Sequence, residues 1–515
     1  MSRFPGVGEW IARRADRTPD HIALVFEGRY WTYAALSREI ERIARGLLAR
    51  GVGRGARVAY LGVNHPAFLA TFFACARLGA ALTPINWRLA QPEVRYIIED
   101  SDASLLVYDE ALAATVEPLA TRCPADFLVR NDLGLDPVLG AVESDRPLPE
   151  APHPGSGDDM LTLMYTSGTS GRPKGVMISH DNVLASIMSH DATFGLGPGH
   201  VALVMAPLFH IGGLNVNLLN TFLKGGTVVL ERGFDPGRIL SLIVEHRVNS
   251  FFAAPVMLQM MQTHPDFADA DLSSVLWIYG GGAPVDERLV RSFADRGIMV
   301  CQGLGMTEAT PVVATTGPHD ALAKIGSVGK PGYFVDVRVV DELGKDVAPT
   351  QRGEIVIGGA NVIRGYWNRP EATADAIRDG WFHTGDVGSF DEDGYLYVVD
   401  RLKDMIISGG ENIASAEVEA CLLEHPGVAE AAVVGKPHET WGEVPVAFVV
   451  APPGSSVTPD DISSHTSARL ARFKQPAEVY VVSALPRNAA GKLLKHQLRG
   501  QLADSTTIAP AAPGR

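Results

Sequence analysis

Short apolar runs, separated by stretches of helical period, constrain this chain more than any other feature. Arg57 to Gly62, Ser104 to Tyr108, Thr227 to Leu230, Val275 to Tyr279 and Met299 to Cys301 are each too short for a core helix. Strands that alternate with helices pair in parallel, because each crossover has room for a helix that covers the sheet. The expected fold is therefore α/β, with helix-flanked, mainly parallel sheets. The chain opens with two strands, 21–27 and 29–31, that turn at Gly28, followed by a helix capped near Thr32. Ala67 to Leu82 is the longest apolar stretch, and Thr71, Arg77 and Gly79 interrupt it. It falls short of the roughly 18 apolar residues of a membrane span, so it is read as a buried core helix.

With 515 residues the chain exceeds what one hydrophobic core organises, and at least two domains are expected. Past Asp400 the pattern shortens to a helix near 416–424, strands near Ala432 and Val446, and a helix near 460–471, which reads as a small α+β domain. The expected division is a large domain over residues 1–400, a small one over 401–502, and a tail over 503–515 whose Ala, Pro and Thr lack periodicity and predict disorder. Pro147 to Gly157 is rich in proline and glycine and reads as an exposed linker.

Forty-five basic against 59 acidic residues give a formal charge of −14, which argues against a nucleic-acid footprint. An anionic ligand must then find local positive charge. Cys75, Cys123, Cys301 and Cys421 lie far apart without a CxxC pair, so neither a disulfide framework nor a zinc site is indicated. The N-terminus has no apolar region of signal-peptide length, and a cytoplasmic location fits best.

The most informative segment is Tyr165-Thr-Ser-Gly-Thr-Ser-Gly-Arg-Pro-Lys-Gly175, which follows an apolar strand. Glycines allow backbone to approach an anion closely, the hydroxyls of Thr166, Ser167, Thr169 and Ser170 can donate beside Gly168, and Lys174 adds a compact charge. It is not a Walker A loop, because Lys174 is preceded by Pro173 and followed by Gly175.

This string resembles the signature loop of the adenylate-forming superfamily of acyl-CoA synthetases, adenylation domains and beetle luciferases. The resemblance continues in order through Pro207-Leu-Phe-His210, Gly280-Gly-Gly-Ala-Pro284, Gln302-Gly-Leu-Gly-Met-Thr-Glu308, Trp381-Phe-His-Thr-Gly-Asp386, Asp400-Arg-Leu-Lys-Asp404, Ser408-Gly-Gly-Glu-Asn412 and Pro486-Arg-Asn-Ala-Ala-Gly-Lys492. It spans about the last two-thirds of the chain and looks most like bacterial fatty acyl or aryl acid CoA ligases. The resemblance implies a large N-terminal domain with a β-barrel-like subdomain and a small mobile C-terminal domain. It also implies ATP, magnesium and, as co-substrate, coenzyme A. The partners are then a small carboxylic acid and CoA, with monomer and homodimer both open.

The family's roles carry over residue by residue. Thr166, Ser167, Gly168, Thr169, Ser170, Lys174, Gly281, Gly282, Ala283, Gln302, Gly303, Thr307, Asp386, Arg401 and Lys492 are the nucleotide-binding candidates. Thr166 and Glu308 are the metal candidates, a carboxylate being the hard oxygen ligand magnesium prefers. Asp386 suits the ribose diol as an acceptor-only group, with Arg401 assisting. His210 borders the acyl tunnel and Lys403 marks the hinge. Lys492 bridges carboxylate and α-phosphate, a cation where two anions meet. Gly409 and Gly410 make room for the slim arm of CoA.

Two departures touch the ligands. Leu304 stands where relatives commonly carry an aromatic, and Ala414-Ser415 replaces the usual Tyr-Pro. The implied activity is ATP-dependent activation of a carboxylate through an acyl-adenylate, with pyrophosphate release and transfer to CoA. The alternatives are delivery to a carrier protein, amine or other nucleophile, or an unusual acid such as nitrite.

Overall fold

The computed structural model describes residues 5–119, 125–130, 155, 157–166, 173–408, 411–455, 457–470, 472–488 and 491–503. The chain separates into two compact units. The first comprises 1–338, 356–383 and 393–396, and the second 339–355, 384–392 and 397–515. Two excursions from the middle of the chain, 339–355 and 384–392, thus group with the C-terminal residues.

In the first unit a nine-stranded sheet runs in the order Lys330–Pro331, Val312–Thr315, Met299–Gly305, Trp277–Gly280, Ser250–Ala253, Val201–Val204, Thr227–Leu230, Ile22–Phe26 and Arg29–Thr32. Its six inner strands are parallel, and its margins turn antiparallel. A second sheet of six orders Asp126–Arg130, Leu105–Asp109, Arg57–Leu61, Ala81–Ile85, Met160–Thr166 and Lys174–Ser179. Only its last pair is antiparallel. Parallel pairing with helical crossovers is what the alternating pattern requires.

Side chains of adjacent strand positions point to opposite faces, and the large sheet uses both. Phe251, Ile278 and Val300 bury one face in a cluster with the Pro236–His246 helix. Phe252, Trp277, Tyr279 and Cys301 bury the other with Phe194 and Val216.

The initial hairpin forms as expected, with Thr32 Oγ1 accepting from Ala35 N at the start of the Tyr33–Ala49 helix. The Ala67–Leu82 expectation needs correction. The helix runs Pro66–Arg77 and a strand begins at Ala81. Gly79, at φ +68°, provides the left-handed turn that ends it. The apolar run continued because a buried parallel strand and a buried helix are equally apolar, and Gly79 was the boundary signal.

Most of the 147–157 linker lies outside the described residues. Its end is buried rather than exposed: Gly155 N donates to Ala76 O at 3.2 Å, and Gly157 O accepts from Asp181 N at 3.0 Å.

Strands Val335–Val340, Gly353–Gly359, Trp381–Phe390 and Ile377–Arg378 follow one another in a five-stranded sheet completed by Leu396–Arg401 on the Trp381–Phe390 strand. The C-terminal sheet orders Glu411–Ile413, Ile406–Ser408, Gly442–Val450 and Glu430–His438, with Glu478–Val481 also on Gly442–Val450. Helices Ser415–Leu423 and Pro459–Ser467 accompany it, the second ending short of the expected 471. Residues 504–515 are outside those described. No helix among the described residues is long and apolar enough to cross a membrane.

Candidate active site

The signature segment is a hairpin. Thr166 lies opposite Lys174 in the antiparallel ladder between Met160–Thr166 and Lys174–Ser179, so the two candidate residues are cross-strand neighbours at the loop base. The expectations for Ser167, Gly168, Thr169 and Ser170 concern residues outside those described.

Both arms of the hairpin are tied to one helix, Gln91–Asp100. Tyr165 donates to Asp100 Oδ2 at 2.8 Å, and Tyr96 donates to the carbonyl of Pro173 at 3.1 Å. Arg369 pairs with Asp100 Oδ1 and donates to Tyr96 Oη at 3.2 Å. Trp367 Nε1 adds a bond to the Asp100 carbonyl at 3.1 Å. Burial, then the Asp100 carboxylate, push the Tyr165 phenol well above its usual range, so it remains a donor. None of these anchors stood out in the sequence. Their only signal was an unusual density of Trp, Tyr and Arg around 365–369.

Lys174 and Glu308 meet at a third residue the sequence reading missed. The Lys174 ammonium lies 5.2 Å from the centre of the Tyr366 ring, and the Tyr366 hydroxyl donates to Glu308 Oε1 at 3.0 Å. Burial and the Glu308 charge raise the Tyr366 pKa and keep it protonated. Glu308 itself is held by a buried scaffold. Asn361 donates to the carbonyls of Ala309 at 2.7 Å and Val312 at 2.8 Å, and Thr310 Oγ1 donates to Asn361 O at 2.8 Å. Ile363 N binds the Glu308 carbonyl at 3.0 Å.

Tyr366→Phe keeps the ring under Lys174 and removes the bond to Glu308. Because a hydrogen bond to a charged group contributes roughly 1.5–3 kcal/mol, the magnesium and ATP concentrations for half-maximal activity should rise about tenfold or more. Magnesium-dependent nucleotide binding, measured calorimetrically, should weaken in parallel; unchanged binding would make Tyr366 only a packing residue.

The described residues contain no group of three His, Cys, Asp or Glu able to hold a metal ion. The Glu308 carboxylate is a hard oxygen ligand of the kind magnesium takes, an ion that usually draws most of its other ligands from phosphate and water.

The Gly281–Pro284 turn leaves the end of the Trp277–Gly280 strand, with Gly282 at φ +85°. Gln302 is buried, and its Oε1 accepts from Val285 N at 3.1 Å, so this residue shapes the turn from the neighbouring strand. Gly303 has no room for a side chain: a Cβ there would lie 2.9 Å from the Ala314 carbonyl. Thr307 is buried at the head of the short Thr307–Ala309 turn. Leu304 is half-buried and pairs with Ala314.

His210 is exposed on the turn that follows the Val201–Val204 strand, and its Nδ1 accepts from Gly212 N at 3.2 Å. Asn64 braces that turn by donating to Ala206 O at 2.9 Å and accepting from Leu208 N at 2.8 Å. Phe252 connects this turn with the glycine turn. A Cβ added at Gly212 or at Gly281 would approach its ring to 3.2 Å. His210, Phe252, Gly281 and Gly303 thus gather at the ends of adjacent parallel strands, where open α/β sheets bind ligands.

In the second unit, Asp386 is buried and Arg401 Nε lies 2.9 Å from its Oδ1. Asp386 N donates to Thr384 Oγ1 at 3.0 Å, and Gly385 N to Glu354 Oε1 at 3.2 Å, which fixes the strand bend that presents the carboxylate. Lys492 is exposed on a tight turn: its N–H donates to Asn488 Oδ1 at 2.8 Å, and its carbonyl accepts from Asn488 N at 2.9 Å. Gly491 precedes it at φ +81°. Lys403 lies in the short Leu402–Asp404 turn, and the expectations for Gly409 and Gly410 concern residues outside those described.

The Ala414-Ser415 departure has a physical account. Both residues are fully buried, and Ser415 Oγ donates to Asp400 Oδ2 at 2.7 Å while Lys495 Nζ donates to Ser415 at 2.5 Å. Lys495 also pairs with Glu419 at 2.8 Å. The serine therefore ties the start of its helix to the strand ending at Arg401 and to the C-terminal helix Lys495–Ala503.

The AMP-binding enzyme family matches residues 11–367, and its C-terminal domain matches residues 417–492. The chain belongs to the AMP-binding enzyme family. It is 46% identical over 497 residues to a feruloyl-CoA synthase of Amycolatopsis sp., covering 96% of this chain and 99% of that one. It is 40% identical to an indoleacetate–CoA ligase of Aromatoleum aromaticum, covering 97% and 99%. Among solved structures, the o-succinylbenzoate CoA synthetase of Bacillus subtilis, in complex with its acyl-adenylate intermediate, superposes with a TM-score of 0.86 at 34% identity, covering 95% of this chain and 98% of that one.

Proposed function

We propose that this AMP-forming acid:CoA ligase acts on an aromatic carboxylic acid, joining it to AMP with release of pyrophosphate and then passing the acyl group to CoA. The observation that carries the first step is the row Lys174, Tyr366, Glu308. A cation and a hard anion are held on one buried tyrosine beside the hairpin loop. Attack of a carboxylate on the α-phosphorus brings two anions together, so the rate gain comes from positioning and from charge placed where the transition state becomes more negative.

Lys174 takes the phosphates and Glu308 the magnesium, which when bound offsets phosphate charge. Asp386 accepts from the ribose hydroxyls, with Arg401 holding its other side. Lys492 bridges the acid and the α-phosphate in the adenylation step, while the 408–412 segment serves CoA. The aromatic preference is supported by Phe252 bordered by Gly212 and Gly281, since two Cβ-less positions beside a ring favour a flat group. The named substrates of the curated relatives, ferulate and indoleacetate, point the same way.

Mass spectrometry of products from a mixed panel of aryl and fatty acids tests donor and acceptor together. Without CoA an aryl-adenylate should accumulate; with CoA the aryl-CoA should replace it. Absence of ATP-dependent pyrophosphate release with every acid would overturn the reading.

A further inference from the structure

We infer that Asp100 is a positioning residue for the adenylation step: it holds the hairpin that carries Lys174 in register with the segment that carries Tyr366. This deepens the acid-activating reading and rests on it. The row Lys174, Tyr366, Glu308 draws its lysine and its tyrosine from distant stretches of chain that meet only briefly. Val176 and Tyr366 form an isolated antiparallel bridge. Beside it, Met177 N donates to Gly365 O at 3.3 Å and Trp367 N to Gly175 O at 2.8 Å. So short a ladder specifies its own register weakly.

Asp100 ties down both sides of that ladder. Its Oδ2 accepts from Tyr165, the cross-strand neighbour of Gly175, and a methyl on Gly175 would lie 3.2 Å from the Tyr165 ring. On the other side its Oδ1 pairs with Arg369, and its carbonyl accepts from Trp367 Nε1 at 3.1 Å. Tyr366 is thus next to one of these anchors, as Lys174 is next to the glycine under the Tyr165 ring. The location of the carboxylate argues that this is its purpose. Asp100 is the last residue of the Gln91–Asp100 helix, at the negative end of the macrodipole, where an anion is unfavourable. Its side chain is only 12% exposed, so the charge is also largely withdrawn from water. The helix gains nothing from an aspartate there, and a local rule broken in this way marks a role elsewhere.

The consequence falls on one half-reaction. Attack on the α-phosphorus needs the Lys174 ammonium held at a fixed place against the phosphates, and a displacement of about 1 Å caused far from the chemistry can cost about 10²-fold. CoA attack on a finished acyl-adenylate has no β- and γ-phosphates left to hold. Asp100→Asn is the probing change, because it keeps the shape and removes the charge. One side-chain oxygen remains, and the Arg369 guanidinium, which has donors alone, takes it. The amide nitrogen then faces Tyr165 and cannot accept from its hydroxyl, so the hairpin side of the tie is lost.

Asp100→Asn should lower ATP-dependent pyrophosphate release at saturating acid by about 10- to 10²-fold. CoA attack on a supplied acyl-adenylate of the same acid should stay within about twofold of wild type. Tyr165→Phe, which keeps the ion pair and removes one tie, should show the same split with a loss of about threefold. The double variant should lose no more than Asp100→Asn alone, since the tyrosine acts through the carboxylate. If Asp100→Asn fails to fold, the split in Tyr165→Phe decides. Equal losses in the two half-reactions would overturn the role and make the cluster a general support of the first unit. Unchanged pyrophosphate release in the variants would overturn it as well, with acid activation by the wild type left intact. No release by the wild type with any acid would sink the acid-activating reading itself.

Discussion

Lys492→Ala should reduce acid-dependent pyrophosphate release by about 10²–10³-fold, in line with removing one preorganised charge donor from a transition state. CoA attack on a supplied acyl-adenylate should stay within a few-fold of wild type. Two unit charges about 4 Å apart attract by roughly 1 kcal/mol in water and roughly 4 kcal/mol at the intermediate dielectric of a protein surface, so the lysine works only where water is excluded. Its carriage supports a positional role: the Asn488–Lys492 turn fixes the backbone on both sides of the residue, and Arg487 donates to Gly491 O at 2.9 Å. The side chain can then extend while its base stays in place. Lys492→Arg should recover little, because a planar guanidinium does not replace a compact ammonium between two oxygens. Equal loss in both half-reactions would show that Lys492 supports the C-terminal unit rather than the adenylation step.

The sequence was most legible where one side chain type had to stand at one spacing. Short continuous apolar runs separated by helical stretches led directly to the parallel sheets, because a strand buried on both faces tolerates little else. The motif residues Lys174, Glu308, Asp386 and Lys492 could be named because each stands in a string that resembles the family's. The supporting groups were opaque for the opposite reason. Tyr366 and Asp100 lie 192 and 74 positions from Lys174, and an isolated tyrosine or aspartate is an ordinary residue until the fold sets it beside a partner. Gln302 carries a nucleotide motif, and its Oε1 in this structure also holds the backbone of the glycine turn. The Ala67–Leu82 stretch could not be divided by hydropathy, since the helix and the strand it contains are both buried.

Gly213→Ala should be severely damaging, costing roughly 2–4 kcal/mol and most of the activity, whereas Gly212→Ala next to it should fold and change only which acids are used. The difference lies in what each methyl meets. At Gly213 it would sit 2.2 Å from the Pro207 carbonyl oxygen and 2.8 Å from that of Ala206, and neither is the end of a flexible side chain. The Pro207–His210 turn would have to open, breaking the bond from Gly213 N to His210 O at 3.0 Å and the Asn64 brace that positions His210. At Gly212 the nearest atoms are the Phe252 ring at 3.2 Å and His210 Nδ1 at 3.4 Å, both side chains that can shift by a few tenths of an ångström. The shift crowds the space beside Phe252 where the acid is proposed to sit, so broad aromatic acids should lose several-fold more kcat/KM than slender aliphatic ones while ATP affinity holds. Thermal unfolding separates the stability effects, and the acid panel separates the selectivity effects. A Gly212→Ala enzyme that treats both acid classes as the wild type does would place the acid away from Phe252. A Gly213→Ala enzyme of unchanged midpoint would show that the turn carrying His210 is looser than its hydrogen bonds require.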